Sequence, residues 1–256
     1  MLGYQLYPNN FYFANKPPRT REDFKGMKTR SHSTVLGDLI DGMGANAQFV
    51  AFSEVYTALE RGILDTAVSC GTCGSGLRWY EVSKYLVGPI VALGHSWVTV
   101  NGDRWNAMPA DLQGIIQEEA AKHEALTMKN ATTIWDQNGI DENVAGGMEY
   151  IEFNDELVES MRQAAISKVL PNWITRAGGL NSEAAKIYND KVAPLLRVRV
   201  LPDGSAEEYY NFRVNLGAQC GWQPPPVAMP AARAVFKGAA GGYSSLLQRR
   251  PLITTK

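Results

Sequence analysis

Residues 27–69 read MKTRSHSTVLGDLIDGMGANAQFVAFSEVYTALERGILDTAVS, and the alternation of short apolar runs within them decides the fold class. MKTRS (27–31) has the length and flanks of a short strand. TVLGDLIDGMG (34–44) spaces its apolar residues as a helix does and stops at Gly44. AQFVAF (47–52) is a second strand. SEVYTALERG (53–62) carries Val55, Ala58 and Leu59 at helical spacing, with Ser53 placed to cap its start, Glu54 in its first turn and Gly62 to end it. LDTAVS (64–69) is a third strand. Strands alternating with helices predict an α/β fold with a largely parallel sheet.

The same period extends outward. HSWVTVN (95–101) alternates as a strand does. Pro109 opens a helix expected to run to Gly139, with an apolar stripe of Leu112, Ile115, Ile116, Leu126 and Ile134. MEYIEF (148–153) is strand-like. Asn154 then caps a helix that Pro171 is expected to break or kink, and residues 181–194 complete the helical set. Beyond about residue 200, Pro, Ala, Gly and Arg dominate without a sustained period, so residues 201–256 are expected to form a poorly ordered or loosely docked tail.

Composition narrows the function classes. A 45% hydrophobic chain can bury a sizeable core, and a net charge of −1 offers no basic excess for nucleic acid. No apolar run approaches the roughly 18–20 residues of a membrane span. The opening MLGYQLYPNNFYFANK lacks a basic segment followed by an apolar one, so no secretory signal is expected within this chain. Cys70, Cys73 and Cys220 are an odd set, which argues against a disulfide framework. His32, His95 and His123 are scattered, and neither a metal nor a cofactor is expected.

Two features carry candidate chemistry. Cys70-Gly71-Thr72-Cys73 is a CxxC, which can exchange disulfides, supply half a zinc site, or simply line a tight loop. A redox pair usually opens a helix, whose dipole lowers the thiol pKa. Here Gly71, Gly74 and Gly76 favour a loop over a helix start, and no second ligand pair exists for zinc. Arg30 lies near the C-terminal end of a strand, where open α/β sheets bind ligands, and its fork suits a carboxylate; the plainer reading is a solvated charge. No Ser-His-Asp set, GxSxG or HExxH is present, which favours a binding protein over an enzyme.

In order, EDFKGMKTRSHSTVLGDLIDGMGANAQFVAFSEVYTALERGILD (22–65), WYEVSKYL (79–86) and VNGDRWNAMPADLQGIIQEEAAKH (100–123) resemble the solute receptors of tripartite ATP-independent periplasmic (TRAP) transporters. The similarity runs from about Pro17 to about Val192. It implies a periplasmic binding protein type II-like fold, two α/β lobes closing on a hinge over a small organic carboxylate. It also implies a periplasmic location and membrane permease subunits as partners. The family's carboxylate-clamping arginine falls on Arg30, and Phe52 is similar to its apolar pocket wall. Where relatives carry a ligand-facing asparagine after D-G-x-E, this chain has Ser69 followed by Cys70, which makes both candidates for setting substrate choice; Trp79 joins them from the next motif.

Two further departures shape the expectation. A second pocket arginine often precedes the segment matching NKP; PNNFYFANK has none, which favours a monocarboxylate over a dicarboxylate. The family's signal peptide and first βα portion lie ahead of YFANKPPRT, so residues 1–200 are expected to hold the second lobe, the hinge and part of an incomplete first lobe. Two other readings stay open: a thiol–disulfide oxidoreductase using Cys70 and Cys73, and a truncated receptor without function.

Overall fold

The computed structural model describes residues 1–90 and 94–208. The chain opens with two strands that the apolar pattern did not announce, β1 (Gly3–Leu6) and β2 (Asn10–Ala14). All five residues of β2 are buried, because the strand is covered on both faces and so has no alternation to read. Residues 27–69 then fold as expected into β3 (Lys28–Ser31), α1 (Thr34–Gly42), β4 (Asn46–Phe49), α2 (Val55–Glu60) and β5 (Thr66–Cys70). The Ser33 hydroxyl caps α1 by accepting the Leu36 N–H at 3.2 Å. Ser53 does not cap α2: residues Phe52–Glu54 form a 3-10 turn, and the α-helix starts only at Val55.

The CxxC expectation fails more sharply. The CxxC segment is not a loop but the start of a short helix, α3 (Gly71–Gly76), with Cys70 at its N-cap. The reason lies in packing. Gly71 and Gly74 are small because a Cβ on Gly71 would sit 2.9 Å from the Gly139 backbone, and one on Gly74 would sit 2.2 Å from the Phe13 ring. Two of the three glycines that argued for a loop are thus the condition for close packing, Gly71 against the Gly139 backbone and Gly74 against Phe13.

There follow β6 (Tyr85–Ile90), β7 (His95–Val98), α4 (Gly102–Asn106), α5 (Ala110–Asn130) and α6 (Ile134–Ala145). The single helix expected over 109–139 is thus two helices, parted at residues 131–133, and Gly139 lies inside α6 facing Gly71. The expected apolar stripe is not a core face either: Leu112, Ile115, Leu126 and Ile134 are exposed, since among the described residues α5 packs chiefly on β1. After β8 (Glu149–Glu152) comes α7 (Asp155–Ala164), capped by Asn154 as expected, its Oδ1 accepting the Leu157 N–H at 2.8 Å. Pro171 does not break the run into α8 (Leu170–Arg176). A π-type turn at Ala165–Val169 widens the ladder ahead of it, so that the missing N–H is tolerated. α9 (Glu183–Ile187), α10 (Ala193–Leu196), β9 (Val198–Val200) and β10 (Ala206–Glu208) complete the described chain. Residues 201–208 thus finish a hairpin with β9, and the rest of the expected tail lies outside the described residues.

Six strands form the main sheet in the order β4-β3-β5-β2-β6-β8. The pairs β4/β3, β3/β5 and β6/β8 are parallel, while β2 runs antiparallel to both β5 and β6, so the sheet is mixed rather than largely parallel. Alternation along β2 feeds two cores. Tyr12 joins Phe24, Leu36, Ile40 and Leu157 on one face; Phe11 and Phe13 join Val55, Leu59 and Trp79 on the other. β1 and β7 pair as a separate antiparallel ribbon, held to α5 by the Tyr4 N–H on Glu124 and the Leu6 N–H on Thr127.

Candidate ligand site at the sheet edge

The C-terminal ends of β3 and β5 lie beside the N-terminal end of β2, because β5 runs antiparallel to β2 and parallel to β3. Loop crevices at this end of a parallel strand pair are where open α/β sheets bind ligands. Arg30 stands there, only 4% exposed. Its Nε donates to the Val50 carbonyl at 3.1 Å and its Nη1 to the Val68 carbonyl at 2.9 Å, which fixes the plane of the guanidinium. Two of its five donors are thereby used. Burial lowers its pKa, and among the described residues no carboxylate acts in the opposite direction. A buried charge held only by carbonyl dipoles is costly.

Phe52 lies over this cation, its ring centroid 5.8 Å from the Arg30 Cζ, and keeps 42% of its surface in solvent. Trp79 does not reach the surface at all. It sits behind Phe52 at 5.5 Å and against Phe13 at 5.1 Å, and its Nε1 has no hydrogen-bond partner among the described residues. The strand register sorts the remaining two candidates. Arg30 pairs with Ala67, so Ser69, two residues on, shares the face of Arg30, and Cys70 points to the other face. Arg30, Phe52 and Ser69 are therefore on one side of the sheet, Cys70 is turned away from them, and Trp79 supports Phe52 from behind.

Sequence reasoning missed a polar cluster next to Arg30. Asn10 is the cross-strand partner of Cys70, and its Oδ1 lies 3.3 Å from the His32 Nε2. The His32 pKa is lowered by the crowding of protein atoms around the ring and then by the Arg30 charge. The residue before Asn10, Asn9, is held by Asp136 at the start of α6, whose carboxylate accepts the Asn9 N–H at 2.7 Å and the Asn9 Nδ2 at 2.5 Å. Burial raises the Asp136 carboxyl, although the Asn9 side-chain and backbone donors pull it down. The one signal in the sequence was the Asn9-Asn10 pair immediately ahead of FYFA, which has meaning only once that segment is known to be a strand.

Cys70 and Cys73 form a disulfide, and the Cys70 Sγ also accepts the Cys73 N–H at 3.1 Å. Among the described residues no group of three or more His, Cys, Asp or Glu side chains could hold a metal. No described helix is long and apolar enough to cross a membrane. A shallow groove of about 620 Å³, lined by Thr20, Lys25, Asp41 and Gly44 among others, lies at the opposite end of β3 and shares no residue with the Arg30 cluster.

Residues 9–173 match the family described as bacterial extracellular solute-binding protein, family 7. The C4-dicarboxylate-binding periplasmic protein DctP of Rhodobacter capsulatus is 29% identical over 188 residues, which are 66% of this chain and 56% of that protein. A monocarboxylate 2-oxoacid-binding periplasmic protein of Nostoc sp. is 26% identical over 156 residues, 58% of this chain and 41% of its own length. The chain therefore spans about half the length of these curated relatives. Among solved structures, a TRAP periplasmic solute binding protein from Desulfovibrio salexigens with bound orotic acid superimposes with a TM-score of 0.67 at 23% identity, covering 76% of this chain and 62% of that one. A Bordetella pertussis extracytoplasmic solute receptor binding pyroglutamic acid gives 0.63 at 21%, covering 70% and 58%. The fold of this chain is that of these receptors.

Proposed function

The chain belongs to the bacterial extracellular solute-binding proteins of family 7, and on that premise we propose that it captures a small organic carboxylate at Arg30 and delivers it to the membrane subunits of a TRAP transporter. One observation carries the reading. Arg30 is buried near the C-terminal ends of β3 and β5, pinned by two carbonyls, shifted by desolvation, and without an ion-pair partner among the described residues. A ligand carboxylate accepts from the remaining fork of the guanidinium, with Phe52 as the apolar cover and Ser69 on the same face. The His32–Asn10 pair supplies uncharged hydrogen-bonding groups alongside, which suits a monocarboxylate with a carbonyl or hydroxyl nearby. The Cys70–Cys73 disulfide supports an oxidising, extracytoplasmic setting. Family membership and the fold favour a binding protein over an enzyme.

The Arg30–carboxylate bond contributes about 1.5–3 kcal/mol. Micromolar binding needs about 8 kcal/mol, so burial of the ligand body supplies the larger share. The test is a thermal-shift screen of pyroglutamate, orotate, succinate, malonate and branched 2-oxoacids on the purified chain, followed by calorimetry. A ligand at a hundred times its Kd should add about 2.7 kcal/mol of stability. Loss of that shift in a folded Arg30→Ala variant supports the clamp, and undiminished binding by that variant overturns it.

A further inference from the structure

We propose that the Cys70–Cys73 disulfide is a thiol–disulfide exchange site, reduced by an external dithiol, and that its state sets how tightly the Arg30 cleft holds its ligand. The second half rests on the function proposed above; the first does not.

The two sulfurs are unequal. Cys70 is buried at the end of β5, whereas Cys73 is only partly covered, on the first turn of α3. An incoming thiolate therefore meets the Cys73 Sγ. Its attack forms a mixed disulfide at Cys73 and breaks the Cys70–Cys73 bond, and the bonding pair leaves on the Cys70 Sγ. That sulfur already accepts the Cys73 N–H at 3.1 Å and has the Thr72 hydroxyl at 3.6 Å, so the leaving thiolate is received by donors in place. The second thiol of the dithiol then displaces Cys73. The external dithiol gives up two electrons and two protons, and Cys70 and Cys73 end as two thiols.

The link to the cleft runs through backbone. Val68, whose carbonyl holds Arg30, and Ser69 are the two residues before Cys70. Cys70 is also the strand partner of Asn10, which contacts His32. On the far side, the Gly71 carbonyl accepts from Asn143 Nδ2 at 2.9 Å, and Ser75 donates to Glu142, which ties α3 to α6. α6 in turn holds Asn9 through Asp136. Three of the six residues of α3 are glycine, so its own helix propensity is low and the covalent link holds its first turn. Opening that link frees the end of β5 that frames the ligand.

The first test uses the folded full-length chain. Dithiothreitol is titrated under native conditions, with alkylation and peptide mass mapping to separate Cys70 and Cys73 from Cys220, and circular dichroism to follow the fold. Alkylation of Cys70 and Cys73 with the helix signal unchanged supports the exchange site. A pair that stays oxidised until denaturant unfolds the chain overturns it. The second test measures binding of pyroglutamate, orotate, succinate and malonate by calorimetry to the oxidised chain, the reduced chain and Cys73→Ser. We expect binding weaker by about fivefold or more on reduction, as for ordinary coupling between sites. Cys73→Ser should show the weaker value and ignore reductant. Equal affinity in all three overturns the coupling. Reduction of the native pair in a chain that binds none of the four in the oxidised state supports the exchange site and counts against both the coupling and the carboxylate reading.

Discussion

Arg30 illustrates how one side chain can be both a structural and a binding element. Its Nε and Nη1 bonds join the segment after β4 to β5, and the rest of the same fork makes no further hydrogen bond among the described residues. A lysine at this position presents a single ammonium that cannot reach both carbonyls and still pair in plane with a carboxylate. Arg30→Lys is therefore expected to weaken ligand binding by about 1.5–3 kcal/mol, roughly ten- to hundredfold in Kd by calorimetry, while the chain stays folded. Unchanged affinity in this variant sinks the bidentate arrangement. The strand-end position of Arg30 was legible in the sequence, but position alone made a solvated charge the plainer reading; the family resemblance singled the residue out, and its burial came only with the fold. Asn10 and His32 were not legible, since they meet only because β2 and β3 both flank β5, a strand order the chain does not announce.

Among the elements, α3 and α6 teach the most about glycine. A Cβ on Gly139 would lie 2.7 Å from the Thr72 nitrogen and 2.8 Å from the Gly71 backbone, neither of which can swing aside as a side chain could. Gly139→Ala is expected to lower stability by about 1–3 kcal/mol in urea unfolding, because the two helices must part. Gly114, inside α5, has nothing within 4 Å of such an atom, and Gly114→Ala is expected to raise stability by up to about 1 kcal/mol. Equal effects at the two positions would refute the close-contact reading of Gly139. The comparison shows why the α/β alternation of residues 27–69 was readable and the helices beyond it were misjudged. Local spacing encodes an amphipathic face, whereas Gly71 and Gly139 are set by a contact across sixty-eight positions of chain. From sequence alone, a glycine that ends a helix and a glycine that lets another backbone approach look the same.

At the scale of the whole described chain, the β1–β7 ribbon with α5 and the six-stranded sheet with α6 meet where β1 passes into β2 and α5 into α6. Asp136 and Asn9 stand at that passage, joined by two hydrogen bonds out of water. Burial holds the Asp136 carboxyl above its ordinary value of 3.8, against the pull of the Asn9 donors. The folded chain thus binds this proton more tightly than the unfolded chain does. By linkage, the group's stabilising contribution is fully present below the unfolded value, and it is lost as the pH rises through the interval up to the raised, folded one. Asp136→Asn removes the titration while keeping an oxygen to accept from Asn9. In urea titrations from about pH 3 to about pH 7, the unfolding free energy of the native chain minus that of Asp136→Asn should fall as pH rises and then level off. A difference that climbs instead would mean that the Asn9 donors outweigh burial, and that the junction is held by a stabilised carboxylate rather than strained by a desolvated one.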